Sequence, residues 1–319
     1  MTSPLVIVSL VFAFTMLNFL LWARANHKEH SFPLMNHALL SRNVSEKRVG
    51  DQLAEIRNKI SENKKLLESM YDSKFGSEED MFKNMKEYSV KQVPLRKRTL
   101  ASIFKYQQYA NLYGSLAPEV FCPGKVRIGT IGDGGKWACN PWKVPDQSVL
   151  FSLGLNNFIG FESDWQRLVS NRNVLYGFDS AEQSESTKKV YASLSGTSMK
   201  ALISPKTKAT ADEFTIEDLA KHFSVTAIEI MKVDIEGAEK TCLIPFLEKF
   251  TVCQMYLEIH GGAEEHAKLL REIAHLDYRL FSFEVNGFEM SACEYSFIHE
   301  SCVMKYGAKR IAYYLDFEN

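Results

Sequence analysis

From about residue 118 to the C-terminus, short runs of β-branched and aromatic residues alternate with segments of helical pattern. That alternation confines the chain to one fold class more sharply than any other feature. Strands are predicted at 149–154 (VLFSLG), 174–179 (VLYGFD), 227–234 (AIEIMKVD), 252–260 (VCQMYLEIH), 278–285 and 293–299, and helices at 161–170, 216–222, 243–249 and 264–276. A helix between successive strands is the crossover that parallel pairing needs. The reading is therefore an α/β fold, a doubly wound sheet that is parallel through most of its width. Only a loop separates the last two strands, which predicts an antiparallel C-terminal hairpin. The domain is placed at 118–319.

Two segments precede it. Residues 5–22 read LVIVSLVFAFTMLNFLLW, with Ser9, Thr15 and Asn18 as polar interruptions and no charge before Arg24. At about 1.5 Å per residue such a run crosses a hydrocarbon core of about 30 Å. Residues 1–25 are thus expected to be a signal-anchor, a transmembrane helix holding the protein to the membrane. Ala23-Arg24-Ala25 also fits signal-peptide cleavage before Asn26. Arg24, Lys28, Arg42 and Lys47 favour a cytosolic C-terminal side. The Asn43-Val44-Ser45 glycosylation sequon and six cysteines favour a lumenal one. The expectation is a single-pass protein of the secretory pathway facing the Golgi or ER lumen, or a secreted protein if the segment is cleaved.

Residues 26–117 read as a helical stem. Val49, Leu53, Ile56, Ile60, Asn63, Leu67 and Met70 fall at alternating steps of four and three, a heptad seam with one polar member. It predicts a short coiled coil over 49–70 and a homodimer through the stem, while an amphipathic helix packed on its own domain fits equally. A break is expected at 76–80 and a second helix over 100–113.

Charge and cysteines narrow the function. With 38 Lys+Arg against 39 Asp+Glu the chain lacks the basic excess of a nucleic-acid binder. No C-x-x-C pair occurs, which disfavours a zinc ribbon. In an oxidising lumen Cys122–Cys139 and Cys293–Cys302 are the expected disulfides. Trp137, Trp142 and Trp165 read as packing residues.

Ligands of open α/β sheets sit beyond the C-terminal strand ends, so the residues there carry the functional argument. The first predicted strand ends in Gly154, which permits a close backbone approach or a positive φ, followed by Asn156 and Asn157, which tolerate unusual backbone angles. No G-x-G-x-x-G occurs, which disfavours a dinucleotide site. Asp179 ends the second strand 25 residues after Gly154, near where nucleoside-binding folds place a ribose-binding carboxylate. Asp234 ends the third strand, Glu236 lies two residues on, and, alternating on extended chain, the two would share a face. Such a pair could hold a cation, position a hydroxyl or act as a base. Glu239 reads as a residue favoured at a helix start. The next strand ends in Glu258-Ile259-His260-Gly261-Gly262, where His260 could deprotonate a hydroxyl near neutral pH.

The stretch Lys232-Val233-Asp234-Ile235-Glu236-Gly237-Ala238-Glu239 resembles the K-x-D-x-E-G-x-E signature of FkbM-type methyltransferases. Val126-Arg127-Ile128-Gly129 through Gly132-Asp133-Gly134-Gly135-Lys136-Trp137-Ala138-Cys139 resembles a hallmark of their membrane-anchored, methyltransferase-like branch. Leu153-Gly154, Phe161-Glu162, Phe178-Asp179, Glu258-Ile259-His260, Asn286 and Glu294-Tyr295-Ser296-Phe297 match in order, over about 200 residues. The resemblance implies the seven-stranded class I fold of methyltransferases that use S-adenosyl-L-methionine (SAM). Gly154, Asn156 and Asp179 would then hold the cofactor, Asp234 would lie beside the reacting centre, and the acceptor would carry a hydroxyl. The usual second glycine of the first motif is absent, with Leu155-Asn156 in its place.

The expected reaction is methyl transfer from SAM to a hydroxyl oxygen of a small-molecule, glycan or lipid acceptor, with Asp234, Glu236 or His260 as base. Alternatively a divalent metal could sit on Asp234, Glu236 and Glu258. Two rival readings remain open: a metal-dependent glycosyltransferase using Asp234 and Glu236, and an inactive binding protein with a methyltransferase fold.

Overall fold

The computed structural model describes residues 37–318, Asp133 excepted. The predicted membrane segment therefore lies outside the described residues, and among those described no helix is long and apolar enough to cross a membrane. Contacts divide the chain into two units between Ser77 and Glu78. Among the described residues the first holds α1 (His37–Phe75), which carries the whole heptad seam. Val49, Leu53, Ile56, Ile60 and Leu67 are all exposed along it.

The second unit opens with α2 (Glu78–Ala101) and α3 (Tyr109–Ser115). The expected helix over 100–113 is thus broken, because the Gln108 side chain accepts from the Phe104 and Lys105 N–H groups and closes a turn. Leu100, Ile103, Tyr109, Leu112 and Leu116 enter the same apolar layer as the sheet. The chain from residue 78, assigned to the stem by its polarity, is built into the domain.

There follow β1 (Val120–Phe121), β2 (Lys125–Ile128), β3 (Lys136–Cys139), β4 (Val149–Leu153), α4 (Gly160–Leu168), β5 (Val174–Asp179), α5 (Glu185–Ser193), β6 (Gly196–Lys200), β7 (Leu202–Ile203) and β8 (Glu213–Phe214). The chain continues through α6 (Ile216–His222), β9 (Ile228–Val233), α7 (Glu239–Leu247), β10 (Val252–His260), α8 (Ala263–His275), β11 (Tyr278–Val285), β12 (Ala292–His299) and β13 (Lys309–Arg310). Serine and threonine start two of these helices as their side chains predict: Ser184 accepts from Thr187 N–H at α5 and Thr215 from Asp218 N–H at α6.

The central sheet has seven strands in the order β11-β12-β10-β9-β4-β5-β6. The five from β10 to β6 are parallel, and β12 runs antiparallel between β10 and β11. This is a mostly parallel α/β sheet ending in an antiparallel hairpin, the arrangement of class I methyltransferases. Successive strand residues point to opposite faces, so Leu150, Leu175 and Ile230 join α4 and the β2–β3 hairpin on one side, while Phe151, Phe178 and Met231 meet α2, α3 and α6–α8 on the other.

One expected disulfide is corrected. Cys122–Cys139 forms, with Cα atoms 5.7 Å apart, but Cys302 pairs with Cys253 at 5.5 Å, leaving Cys293 buried and free. Cys293 projects from β12 into the layer holding Tyr295 and Phe297, whereas Cys302 lies in the opposite layer, so the sheet separates them.

Candidate functional site

The chain leaves β4 for one edge of the sheet and returns through β9, so the strand order reverses between these two neighbours, where a cleft must open. A cavity of about 950 Å³ lies there, lined by Gly154, Asn156, Asp179, Asp234, Glu236 and His260 together with residues described below. All six residues singled out from sequence converge on it.

Gly154 adopts φ +85°, and a Cβ at that position would stand 1.7 Å from the Asp234 carbonyl oxygen. Only glycine lets the turns after β4 and β9 press together this closely. The Gly154 N–H donates to Phe178 O at 2.8 Å, and Lys232 Nζ donates to Gly154 O at 2.6 Å. Asn156 and Asn157 take left-handed backbone angles beyond the turn. The Asp179 carboxylate accepts from the Asn156 N–H at 2.6 Å and the Ala181 N–H at 2.8 Å. A carboxylate has about four acceptor positions, so it retains capacity for ligand hydroxyls. The glycine-lined approach and this acceptor suit a nucleoside with an extended amino-acid arm, and Ala201, Leu202 and Ile203 give the same cavity an apolar wall.

The geometry at β9 differs from the expected pleat. The strand ends at Val233, and Glu236 (φ +52°) and Gly237 (φ +98°) form a left-handed turn. That turn, rather than extended alternation, brings both Asp234 and Glu236 to the cavity. Glu239 is fully buried and does more than start α7: one oxygen accepts from Gly237 N–H and the other from His260 N–H, tying two strand-end loops together.

His260 stands among carboxylates. Its Nε2 is 3.6 Å from Glu236 and 3.7 Å from Glu258, and its Nδ1 is 3.9 Å from Glu239. Asp234, Glu236 and His260 each offer one ligand atom within 4.8 Å of the others, so His260 replaces Glu258 in the cation-ligand set expected from sequence. Glu258 instead faces Lys136.

Lys136, from β3, was assigned no role by sequence and has the most constrained charge here. Only 1% exposed, it contacts Glu294 and lies 3.7 Å from Glu258 and 3.9 Å from Asp234. Burial works against its charge, but Glu294, Asp234 and Glu258 outweigh that and raise its pKa above the usual lysine value. Burial in turn pushes the Glu294 carboxyl upward, against the pull of Lys136. Lys232, 4% exposed, adds a second ammonium 3.9 Å from Asp234. A lysine in the apolar run KWAC was the one local sign of this role. Asn286 and Glu289, from the loop between β11 and β12, complete the wall. Asp133, in the same glycine-rich stretch as Lys136, lies outside the described residues.

A sheet of this order, with a glycine turn and a strand-end carboxylate flanking the cleft at its switch point, defines the class: a SAM-dependent methyltransferase fold. The chain belongs to the methyltransferase-domain family, whose model matches residues 66–299. Among curated proteins none matches the sequence. Solved structures of similar fold include Aeropyrum pernix fibrillarin in complex with natively bound SAM (10% identity, 55% of this chain and 83% of that one, TM-score 0.39). Methanococcus jannaschii fibrillarin is another (11%, 56% and 84%, 0.34), as is the precorrin-6y C5,15-methyltransferase of Geobacter metallireducens (9%, 50% and 83%, 0.33). These likenesses are of fold alone.

Proposed function

We propose that the protein methylates a hydroxyl oxygen of a small-molecule, glycan or lipid acceptor, using SAM held by Gly154, Asn156 and Asp179. The observation that carries this reading is the meeting of that cofactor wall with Asp234, Glu236 and His260 in one cavity. SAM supplies an electrophilic methyl group when bound. Gly154 leaves room for the methionine arm, and the spare acceptor positions of Asp179 bind ribose hydroxyls. His260, positioned by Glu236 and Glu258, takes the acceptor proton, and Asp234 orients the hydroxyl. Alignment of the two reactants supplies several kcal/mol of barrier reduction. The resemblance to FkbM-type enzymes supports oxygen as the acceptor atom.

Calorimetric titration with SAM tests the cofactor assignment, with micromolar or tighter binding expected and its loss in Asp179→Ala. Transfer of labelled methyl to glycan and lipid panels tests the acceptor, and full activity in Asp234→Asn would sink its assignment. Binding of nucleotide sugars in place of SAM would favour the glycosyltransferase reading. We further infer a secretory-pathway location, which the two disulfides support, an N-terminal membrane anchor on residues 5–22, and dimerisation through the exposed seam of α1.

A further inference from the structure

Carboxylates outnumber ammonium groups behind the cavity. Asp234, Glu258 and Glu294 gather around Lys136, and Asp234 also faces Lys232. Three carboxylates share two ammonium groups. Lys136, Lys232, Glu258 and Glu294 are each at least nine-tenths buried, and Glu294 keeps one oxygen, Oε2, enclosed without a hydrogen-bond donor. Glu236 and Glu289 add further carboxylates to the cavity wall. Excess charge in a dry interior costs stability unless a counter-charge arrives.

The two sides of the cavity are unlike. The strand ends run β6, β5, β4, β9, β10 across the sheet, about 4.8 Å apart. On the β6 side of Asp179 lie the apolar residues Ala201, Leu202 and Ile203, and on the β9–β10 side lie the carboxylates. In SAM the ribose joins a neutral adenine on one side and a positively charged sulfonium on the other. With the ribose at Asp179, the neutral group matches the apolar wall and the cation matches the acid wall.

We propose that Asp234, Glu236 and Glu258 at the cavity wall, backed by Glu294, form a cation subsite that selects the positively charged cofactor over its neutral demethylated product, S-adenosylhomocysteine. The proposal rests on the SAM reading above. SAM carries one net positive charge and fills the deficit, and the product, having lost the methyl group, carries none. The subsite thereby favours release of product after transfer. It equally accepts an ammonium in the place of the transferred methyl, as in the analogue sinefungin.

The test is calorimetric titration of the full chain with SAM, sinefungin and S-adenosylhomocysteine at low and moderate salt. SAM and sinefungin are expected to bind about tenfold or more tighter than the product, since an unscreened unit charge at these distances readily supplies that ratio. Glu258→Gln should close most of the gap by weakening SAM and sinefungin while leaving the product unchanged. Because Glu258 is buried beside Lys136, the exposed Glu236→Gln serves as the second variant and should narrow the gap with the melting temperature unchanged. Product binding as tight as SAM in the unmodified protein overturns the proposal and leaves the SAM reading standing. Failure of all three ligands to bind folded protein overturns both.

Discussion

Gly154→Ala tests the structural basis of the site most directly. An alanine at φ +85° costs about 1–2 kcal/mol from the left-handed backbone alone. Its Cβ would also fall 1.7 Å from Asp234 O and 2.8 Å from Asp234 C, both backbone atoms that no rotamer change can clear. Reaching the 3.0 Å floor of real Cβ contacts requires the turns after β4 and β9 to part by about 1.3 Å. That movement strains the hydrogen bonds from Asp234 N–H to Leu153 O and from Lys232 to Gly154 O, each about 1–3 kcal/mol when buried. The expected loss is about 3–5 kcal/mol, or roughly 10 °C in melting temperature for a unit of this size, with SAM affinity reduced at least about a hundredfold. Gly132→Ala is the control: its φ is +97°, but a Cβ there meets nothing within 4 Å, so it carries only the backbone term. Circular-dichroism melts and SAM titration of both variants check the argument. Equal melting temperatures for the two, with SAM binding retained in Gly154→Ala, would refute it.

Three further outcomes follow. Burial pulls the His266 pKa down from 6.5 to about 4, so the native state resists protonation while the unfolded chain does not. Its contribution is complete above pH 6.5 and is lost as pH falls toward 4, at about 1.4 kcal/mol per unit. Urea unfolding between pH 7 and 4.5 should therefore show about 3 kcal/mol less acid sensitivity in His266→Gln than in the unmodified protein, and parallel pH curves would contradict this. Thiol titration in denaturant without reductant should find Cys242 and Cys293 free, and Cys302→Ser should lose about 4 kcal/mol for a loop of 49 residues; a blocked Cys293 would rule out the pairing. Lys136→Met should destabilise the fold by about 3–5 kcal/mol, because three carboxylates then lose a shared buried cation; an unchanged unfolding midpoint would show that Lys136 does not hold them.

What the sequence reveals here depends on how far apart the cooperating residues lie. Strands buried on both faces, such as Val174–Asp179 and Val252–His260, are rich in β-branched and aromatic residues and bounded by turn residues, so their limits are readable to the residue. The edge strand Gly196–Lys200 has one outer neighbour fewer and reads GTSMK, with no apolar run to mark it. The helix over 78–101 is mean-polar because only its Leu100 end reaches the core, which is why it resembles a stem. The same distinction governs the site. Gly154, Asp179, Asp234, Glu236 and His260 each end or closely follow a recognisable strand, and parallel topology gathers such ends whatever the side chains are. Lys136 meets Glu294 across 158 positions of sequence, through a short hairpin laid against the sheet. No local period encodes that meeting, nor the pairing of Cys253 with Cys302 across the same layer. The topology thus made the cavity predictable from the strand pattern, whereas its charge balance depended on tertiary contacts. It is that balance, two ammonium groups among three carboxylates, that turns a cleft common to the class into one with a preference for a cationic ligand.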